Sequence, residues 1–267
     1  FRDFREMFDK CGNEFDAVAA AIPDFSHFPV AMLALNQGKH IYVEKPPFVS
    51  GKEAEEAAAL ICKSGICFMV GSPIVKPMHL KTKELLRKGK LGSITHIRYR
   101  TVHELGYLGT QRKTFYRKDE NGGGAMMDMG NHALHLLNWF LGMPSEAEAC
   151  FTSVMQEAKE NRIDDHDTAA LLFPGGVTGT IETGWVTPWY QYGFDLYGTK
   201  GCVSCRAYEM FVCLEEEGYE WRRVPDNELP DAMTYPLTYW LSCIRNGQKI
   251  AWDGIEMAKD VTLMSDL

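Results

Sequence analysis

The chain has 267 residues, of which 45% are hydrophobic and 24% are charged, a composition typical of globular proteins with an apolar core. Its formal net charge of −8 and the lack of a basic run argue against nucleic acid as a partner. No apolar stretch approaches the ~18 residues that a membrane-spanning helix requires, so we predict no membrane partner.

The sequence begins inside a helical pattern, FRDFREMFDKCG, without a methionine, and we interpret it as a fragment. It therefore carries no information about a signal peptide. Eight cysteines are scattered through predicted strands and helices, which indicates reduced, buried thiols of a cytoplasmic protein. Cys202 and Cys205 have the spacing of zinc ligands, but without a second pair we favour two residues of a strand.

The first 72 residues alternate between predicted strands and helices. Apolar runs predict buried strands at 16–23, 40–45 and 66–71, and helices between them at 27–37 and 51–65. Such an alternation indicates a parallel sheet with helices on both faces. Ligands of parallel sheets bind at the carboxyl ends of the strands, here Ile22-Pro23-Asp24, Glu44-Lys45-Pro46 and Gly71-Ser72-Pro73.

The stretch HIYVEKPP, residues 40–47, ends a buried strand in a charged pair followed by two prolines. Pro46 and Pro47 end the strand and fix the direction in which the chain leaves it. We therefore expect Lys45 to be presented from a rigid edge. The alternative is a surface Glu–Lys pair before a turn.

After residue 72 the pattern changes to a helix and a series of strands that mostly alternate apolar with polar residues. The helix is predicted at 76–88 and the β-rich stretches at 93–103, 147–156, 166–173, 177–186, 192–198 and 202–216. Alternation of this kind is typical of an antiparallel sheet with one face in water. We therefore predict an α+β domain over residues 73–267.

The segment NGGGAMMDMGNHALHLLNWFLG, residues 121–142, predicts a glycine-rich turn followed by an apolar helix. Asp128 and His132 lie four residues apart on one face, and His135 follows three residues later. Charged or polar groups in such a helix are costly unless they are used or satisfied. Asp128 could cap the helix and His132 could be a core histidine, or the three could form a metal site. We predict no metal, because the geometry differs from known zinc helices.

Together, these stretches resemble the glucose–fructose oxidoreductase / inositol dehydrogenase / MocA (Gfo/Idh/MocA) family. The matching stretches are DAVAAAIPDFSHFPVAMLALNQGKHIYVEKPP, ELLRKGKLGSI, GGGAMMDMGNHALHLLNWFLG, DTAALLFPGGVTGTIETGW and YGTKG, in this order. The resemblance implies that residues 1–72 are the C-terminal part of an NAD(P)-binding Rossmann domain. It implies that residues 73–267 form a substrate-binding and oligomerisation domain with a mostly antiparallel, open-faced sheet.

The resemblance also implies an oxidoreductase that uses NAD or NADP and acts on a sugar, cyclitol or sugar derivative. Lys45 would lie beside the nicotinamide and bind the reacting hydroxyl, while His132 serves as general base, oriented by Asp128. Glu44 would face the ribose side of the cofactor. Pro23 and His27 match residues at the strand end beneath the cofactor.

The resemblance is incomplete in two places. The Gly-rich phosphate turn of the family matches no segment of this sequence, so the choice between NAD and NADP stays open. Many relatives carry Asp where this chain has His135, which we assign to substrate contact.

Trp185 could stack on a sugar, or lie in the core or an interface. Relatives associate through the C-terminal sheet, which implies a homodimer or homotetramer.

Two other functions are compatible with the same motifs. One is an NAD-dependent glycoside hydrolase that oxidises and re-reduces its sugar transiently. The other is a non-catalytic protein that senses a sugar or the cofactor. Retention of Lys45, Asp128 and His132 together favours the oxidoreductase, because sensing needs no general base.

Overall fold

The computed structural model of the chain describes residues 1–71, 76–231, 235–250 and 254–267. The predicted strand end Gly71-Ser72-Pro73 is therefore described only at Gly71, and the other two positions lie outside the described residues. The helices are α1 Phe4–Cys11, α2 His27–Asn36, α3 Gly51–Ser64, α4 Pro77–Arg87, α5 Lys118–Asn121, α6 Asn131–Leu141, α7 Gln156–Asn161, α8 Pro236–Asn246 and α9 Gly254–Asp266. The strands are β1 Ala17–Ala20, β2 His40–Val43, β3 Phe68–Val70, β4 Ile94–Val102, β5 Glu146–Thr152, β6 His166–Phe173, β7 Val177–Gly184, β8 Gln191–Gly198, β9 Gly201–Arg206, β10 Glu209–Leu214 and β11 Arg222–Arg223.

The chain divides into two compact units. Unit 1 consists of Phe1–Ser72, Lys118–Gly122 and Thr234–Asp266, and unit 2 consists of Pro73–Arg117, Gly123–Met233 and Leu267. Two later segments, which the sequence interpretation placed in the second domain, thus belong to unit 1.

Unit 1 contains a parallel sheet in the order β1-β2-β3, as predicted. Ala20 lies opposite Val43, and Val43 lies opposite Val70, so the described strands end level with one another. The first turn of α3 is fixed by Ser50, whose hydroxyl accepts the Glu53 N–H at 3.3 Å, an N-cap typical of helices. The level strand ends bring the residues that follow them to one edge.

Helix α9 packs against α3, although about 200 residues separate them in sequence. The contact involves small residues: a Cβ built on Gly51 would lie 3.4 Å from Thr262 Cα and 3.4 Å from Ser265 Cβ. Val261 of α9 is fully buried. This packing explains why α9 belongs to unit 1.

Unit 2 contains a sheet whose described strands follow the order β11-β10-β9-β8-β4-β7-β6-β5. The β4–β7 pair is parallel and the other pairs are antiparallel, which confirms the predicted mostly antiparallel sheet. Buried residues such as Tyr99, Ile181 and Phe194 face the helix side. The opposite face carries exposed ion pairs, including Arg98 with Asp195 at 2.6 Å and Arg100 with Glu182 at 2.7 Å.

The helix over the sheet of unit 2 begins with a π-helical turn, Met126–Gly130, and continues as α6. Leu134, Leu137 and Phe140 of α6 are buried. The Phe140 ring packs on the ring of Phe194 in β8, with centroids 5.4 Å apart. Burial of these side chains is the main force that holds the helix on the sheet.

All eight cysteines are described, and all are free thiols. Cys205, Cys213 and Cys243 are buried, but Cys62 and Cys150 are exposed, so the prediction of uniformly buried thiols is wrong. Cys202 and Cys205 both lie in β9, as the strand interpretation required. Among the described residues, we find no helix with the length and apolar character needed to cross a bilayer.

Candidate functional site

The edge of the unit 1 sheet carries a group of polar residues that we call the strand-edge cluster: His27, Tyr42, Glu44, Lys45 and Gly71. The backbone ladder continues past the strands, because Glu44 N–H donates to the Ala20 carbonyl at 3.1 Å. Gly71 N–H likewise donates to the Val43 carbonyl at 2.8 Å. The residues that follow β2 and β3 are thus hydrogen-bonded to the last residues of β1 and β2.

The Glu44 carboxylate lies directly over Gly71. Tyr42 Oη donates to Glu44 Oε1 at 3.1 Å. Burial, followed by the charge of Glu44, raises the pKa of Tyr42, so its hydroxyl remains a donor at neutral pH. A Cβ at Gly71 would lie 2.6 Å from Glu44 Oε2, so a glycine is required for the carboxylate to occupy this place. The arrangement presents a fixed hydrogen-bond acceptor at the edge.

His27 lies at the start of α2 and is fully buried. Its Nδ1 lies 2.9 Å from the Pro46 carbonyl oxygen. Burial lowers the pKa of His27 and outweighs the carbonyls of Pro46 and Ile22, which favour the protonated ring. A neutral ring therefore connects the ends of β1 and β2. Pro23 is exposed, and its carbonyl accepts the Ser26 N–H at 2.8 Å in the turn before His27.

Lys45 is half-buried and joined to Pro46 by a cis peptide bond. Pro46, Pro47 and Phe48 after it are all buried. The Phe48 ring packs against the rings of Phe28 and Phe68, with centroids 6.0 and 6.1 Å apart. The chain that carries the lysine is therefore anchored in the core, as the proline pair predicted.

Unit 2 contains a second group of polar residues, which we call the Asp128 cluster: Asp128, His132, Asp164 and Trp185. Asp128 lies in the π-helical turn and is 8% exposed. The Trp185 indole N–H donates to Asp128 Oδ2 at 3.1 Å. His132 lies one turn later in α6 and is half-buried. The alternative in which Asp128 caps the helix is wrong, because the N-cap positions of the π-helical turn and of α6 are Ala125 and Gly130.

Trp185 itself has no exposed surface. The edges of Phe115 and Tyr116 pack against it, with ring centroids at 6.0 and 5.7 Å. A ring that is fully enclosed in this way cannot stack on a sugar, so the predicted substrate contact does not fit its position. Its observed contact instead orients the carboxylate of Asp128.

His135 is 2% exposed, so a direct contact with substrate does not fit its position either. The sequence interpretation also missed three acidic residues at the start of β6: Asp164 and Asp165 precede the strand, and Asp167 lies in it. Burial, followed by the charge of Asp164, raises the pKa of Asp167 to about 9. The signal in the sequence is the run DDHD at the start of a strand, where three carboxylates in four residues are unusual.

The described part of the chain contains no group of three or more His, Cys, Asp or Glu side chains placed to hold a metal ion. The two clusters contain acid–base groups and hydrogen-bond partners. A parallel sheet with polar residues at its strand ends, followed by an α+β unit with a buried carboxylate and a histidine on its helix, suits a dinucleotide-dependent oxidoreductase.

Comparison with protein families supports this class. Residues 1–72 match the model described as "Oxidoreductase family, NAD-binding Rossmann fold", and residues 79–204 match the "GFO/IDH/MocA C-terminal domain". The chain belongs to the Gfo/Idh/MocA family of oxidoreductases. This confirms the predicted family and fold class, and the family description agrees with the predicted cofactor class, NAD or NADP.

Curated relatives of this chain are named as dehydrogenases and reductases. The chain is 22% identical over 244 residues to a scyllo-inositol 2-dehydrogenase (NAD(+)) of Bacillus subtilis, covering 87% of this chain and 68% of the relative. It is 28% identical over 182 residues to scyllo-inositol 2-dehydrogenase (NADP(+)) IolU of the same organism, covering 66% and 52%. A dTDP-3,4-didehydro-2,6-dideoxy-alpha-D-glucose 3-reductase of Streptomyces antibioticus is 27% identical over 190 residues, covering 71% and 56%. The chain thus spans about half to two thirds of their lengths.

Solved structures share the fold. A levoglucosan dehydrogenase in complex with NADH and levoglucosan superposes with a TM-score of 0.86 at 20% identity, covering 100% of this chain and 80% of that one. An aldose-aldose oxidoreductase from Caulobacter crescentus, complexed with glycerol, has a TM-score of 0.83 at 20% identity, covering 100% and 79%. At these identities the similarity concerns the architecture.

Proposed function

We propose that this chain is part of an NAD(P)-dependent oxidoreductase that interconverts a secondary hydroxyl and a ketone on a sugar, cyclitol or sugar derivative. The observation that carries the proposal is the buried Asp128 carboxylate, which accepts the Trp185 N–H at 3.1 Å and precedes His132 by four residues. Burying a carboxylate is costly, so a functional reason for keeping it is favoured. The names of the relatives support the substrate class.

We assign proton transfer to His132. Oxidation of a secondary alcohol requires a base that takes the hydroxyl proton. A neutral imidazole does this, and the nearby Asp128 carboxylate stabilises the imidazolium that forms. Because Trp185 donates to one oxygen of Asp128, the carboxylate is held in one orientation.

We assign Lys45 to the reacting oxygen. Its ammonium group donates hydrogen bonds and stabilises the negative charge that develops on the oxygen as the proton leaves. The anchored chain of Pro46, Pro47 and Phe48 keeps the backbone of Lys45 in place. Lys45 is thus presented from an anchored segment of chain and not from a mobile loop.

The strand-edge cluster fits the nicotinamide and ribose end of a dinucleotide. The Glu44 carboxylate is an acceptor for a ribose hydroxyl; Tyr42 Oη donates to it, and the lack of a side chain at Gly71 leaves room for it. Pro23 and the neutral His27 line the same edge. When bound, the nicotinamide supplies the hydride acceptor or donor. The 267 residues contain no G-x-G-x-x-G sequence, so they do not distinguish NAD from NADP.

We also propose self-association through the open face of the unit 2 sheet, giving a homodimer or homotetramer. This face carries paired charges of both signs, Arg98 with Asp195 and Arg100 with Glu182, which a second copy can match. Light scattering of the purified full-length protein measures the oligomeric state. A strict monomer at micromolar concentration would contradict this part of the proposal.

The decisive experiment uses Lys45→Ala and His132→Ala in the full-length protein. NADH and NADPH absorbance is followed with a panel of sugars and cyclitols. Each variant should lose at least about 100-fold in kcat while keeping its circular dichroism spectrum. Lys10→Ala is the control, because Lys10 is an exposed residue of α1 paired with Glu6. Full activity of either site variant refutes the role assigned to that residue.

The same assay separates the other functions. A glycoside hydrolase releases sugar from a glycoside without a net change in cofactor absorbance. A sensor binds the cofactor tightly and transfers no hydride with any sugar in the panel. Either outcome contradicts the oxidoreductase proposal.

A further inference from the structure

The start of the helix that carries Asp128 and His132 is held by a single residue of the segment before β6. Asp164 Oδ1 accepts the Gly124 N–H at 3.0 Å, and Oδ2 accepts the Met126 N–H at 3.0 Å. Its backbone carbonyl accepts the Ala125 N–H at 3.0 Å. Three consecutive N–H groups, which would otherwise lack partners at a helix start, are thus satisfied together.

Gly124 makes this contact sterically feasible. A Cβ at this position would lie 2.0 Å from the Asp164 carbonyl oxygen and 2.6 Å from Asp164 Cγ, closer than any real contact. The Gly124 carbonyl, in turn, accepts the Asp128 N–H at 3.0 Å. A short chain of hydrogen bonds therefore runs from Asp164 through Gly124 to the backbone of Asp128.

The carboxylate of Asp128 is fixed separately, by the Trp185 N–H at 3.1 Å. The backbone and the side chain of Asp128 are thus held from two different parts of unit 2. Fixing both leaves little freedom for the carboxylate or for His132 one turn later.

We infer that Asp164 is a positioning residue for the reaction proposed above. Through its hydrogen bonds to the segment at Gly124, it fixes the positions of Asp128 and His132. This inference rests on the proposed function. Displacing a catalytic group by about 1 Å can lower the rate about 100-fold. A residue that fixes the position of the helix can therefore affect the rate without contacting the substrate.

The charges around Asp164 support the assignment. Asp167 has its pKa raised to about 9 by burial and by the charge of Asp164, so it is neutral at pH 7. Both carboxylate oxygens of Asp164 receive backbone N–H groups, from Gly124 and from Met126. Charge-assisted hydrogen bonds of this kind are stronger than neutral ones.

The test is Asp164→Asn in the full-length protein. The amide replaces one acceptor oxygen with an NH₂ group that faces a backbone N–H, so one bond becomes a repulsion. We expect kcat to fall about 10- to 100-fold. KM for the sugar and Kd for the cofactor should stay within about twofold, because Asp164 is assigned no contact with either.

Asp165→Asn is the matched control. Its two oxygens accept the N–H groups of Val154 and Met155 at 2.7 and 2.9 Å, so it has the same type of hydrogen bonding directed at a different segment. It should lose a similar amount of stability in urea unfolding while keeping kcat close to wild type. Equal losses of kcat in both variants would mean that Asp164 acts only through stability.

A double variant with Trp185→Phe adds a readout specific to positioning. Both changes act through Asp128, so the combined loss of kcat should be smaller than the product of the single losses. If Asp164→Asn yields no folded protein, Asp164→Ser, which keeps one acceptor oxygen, is measured in the same way. Wild-type kcat in a folded Asp164 variant overturns the inference.

The result for His132→Ala distinguishes a failure of the proposed function from a failure of the positioning role of Asp164. An inactive His132→Ala beside a fully active Asp164→Asn would leave the proposed function standing and remove the positioning role. An active His132→Ala would remove both, because no reaction would then depend on the position of this helix.

Discussion

In the strand-edge cluster, Tyr42 and Glu44 are two residues apart, and Lys45 follows directly on the same piece of chain. In the Asp128 cluster, the carboxylate is held by Trp185, 57 residues later, and the helix start is held by Asp164, 38 and 40 residues from its partners. One cluster is built mainly from a single loop and level strand ends. The other depends on tertiary contacts.

This difference has consequences for how each cluster responds to mutation. The backbone of Tyr42, Glu44 and Lys45 depends mainly on their own strand and the following prolines, and only the place of the Glu44 carboxylate depends on a more distant residue, Gly71. A cluster held by distant residues can be disturbed by changes that touch no substrate, because each of those residues occupies a defined place in the core.

Asp128→Asn should have the largest effect on activity. The amide oxygen still accepts the Trp185 N–H, so the free energy of unfolding should change by less than about 1 kcal/mol. The negative charge is lost, so kcat should fall about 100-fold or more. Urea unfolding and steady-state kinetics measure the two quantities. A variant that keeps wild-type kcat contradicts the role of the carboxylate.

Trp185→Phe removes the donor to Asp128 and keeps most of the ring volume. We expect a loss of about 1–3 kcal/mol in unfolding free energy, because the buried carboxylate loses a partner. Activity should fall about tenfold, because the carboxylate is less well oriented. Trp189→Phe is the control, since Trp189 is 72% exposed and should change neither quantity. Identical kinetics of the two variants would remove Trp185 from the cluster.

Gly71→Ala tests the strand-edge cluster. The new Cβ would lie 2.6 Å from a Glu44 oxygen and from Tyr42 Oη, so the carboxylate must move. We expect the affinity for NAD or NADP to fall about tenfold, equivalent to about 1.4 kcal/mol, measured by calorimetry. Tyr42→Phe, which removes only the hydrogen bond, should have a smaller effect. Unchanged affinity in Gly71→Ala would show that Glu44 does not contact the cofactor.

Asp167→Asn should leave activity unchanged and alter the pH dependence of stability. The folded pKa of about 9 lies above the unfolded value near 3.9, so wild type loses stability as pH rises between them. The amide does not ionise, so the variant should gain on wild type by more than about 1 kcal/mol between pH 5 and pH 8. Thermal unfolding at several pH values measures this. A constant difference across that range would show that Asp167 is ionised in the folded protein.

The strand-edge cluster could largely be placed from sequence, because its information is local. Apolar strands with helices between them require a parallel sheet, and such a sheet aligns its carboxyl ends. That reasoning placed Glu44 and Lys45 at the edge together. It did not give the contact between Glu44 and Gly71, which depends on the register of β2 against β3.

The Asp128 cluster could be placed only in part. Helical spacing identifies Asp128 and His132, but spacing carries no information about a partner 57 residues away. The sequence therefore leaves Trp185 open between a sugar, the core and an interface, and does not connect it with the carboxylate. The π-helical turn was also missed, since its apolar residues fit an ordinary helix equally well. His135 was assigned to substrate because the pattern does not distinguish a buried polar face from an accessible one.

The packing of α9 on α3 has a consequence for synthesis on the ribosome. Among the described residues, the last strand of unit 2 ends at Arg223, whereas unit 1 needs Val261, Thr262 and Ser265 to cover the face of α3 that includes Gly51. The described strands of unit 2 are therefore translated before α9 of unit 1. While the ribosome adds the intervening residues, a nascent chain exposes the apolar side of α3, a surface on which chaperones and proteases can act.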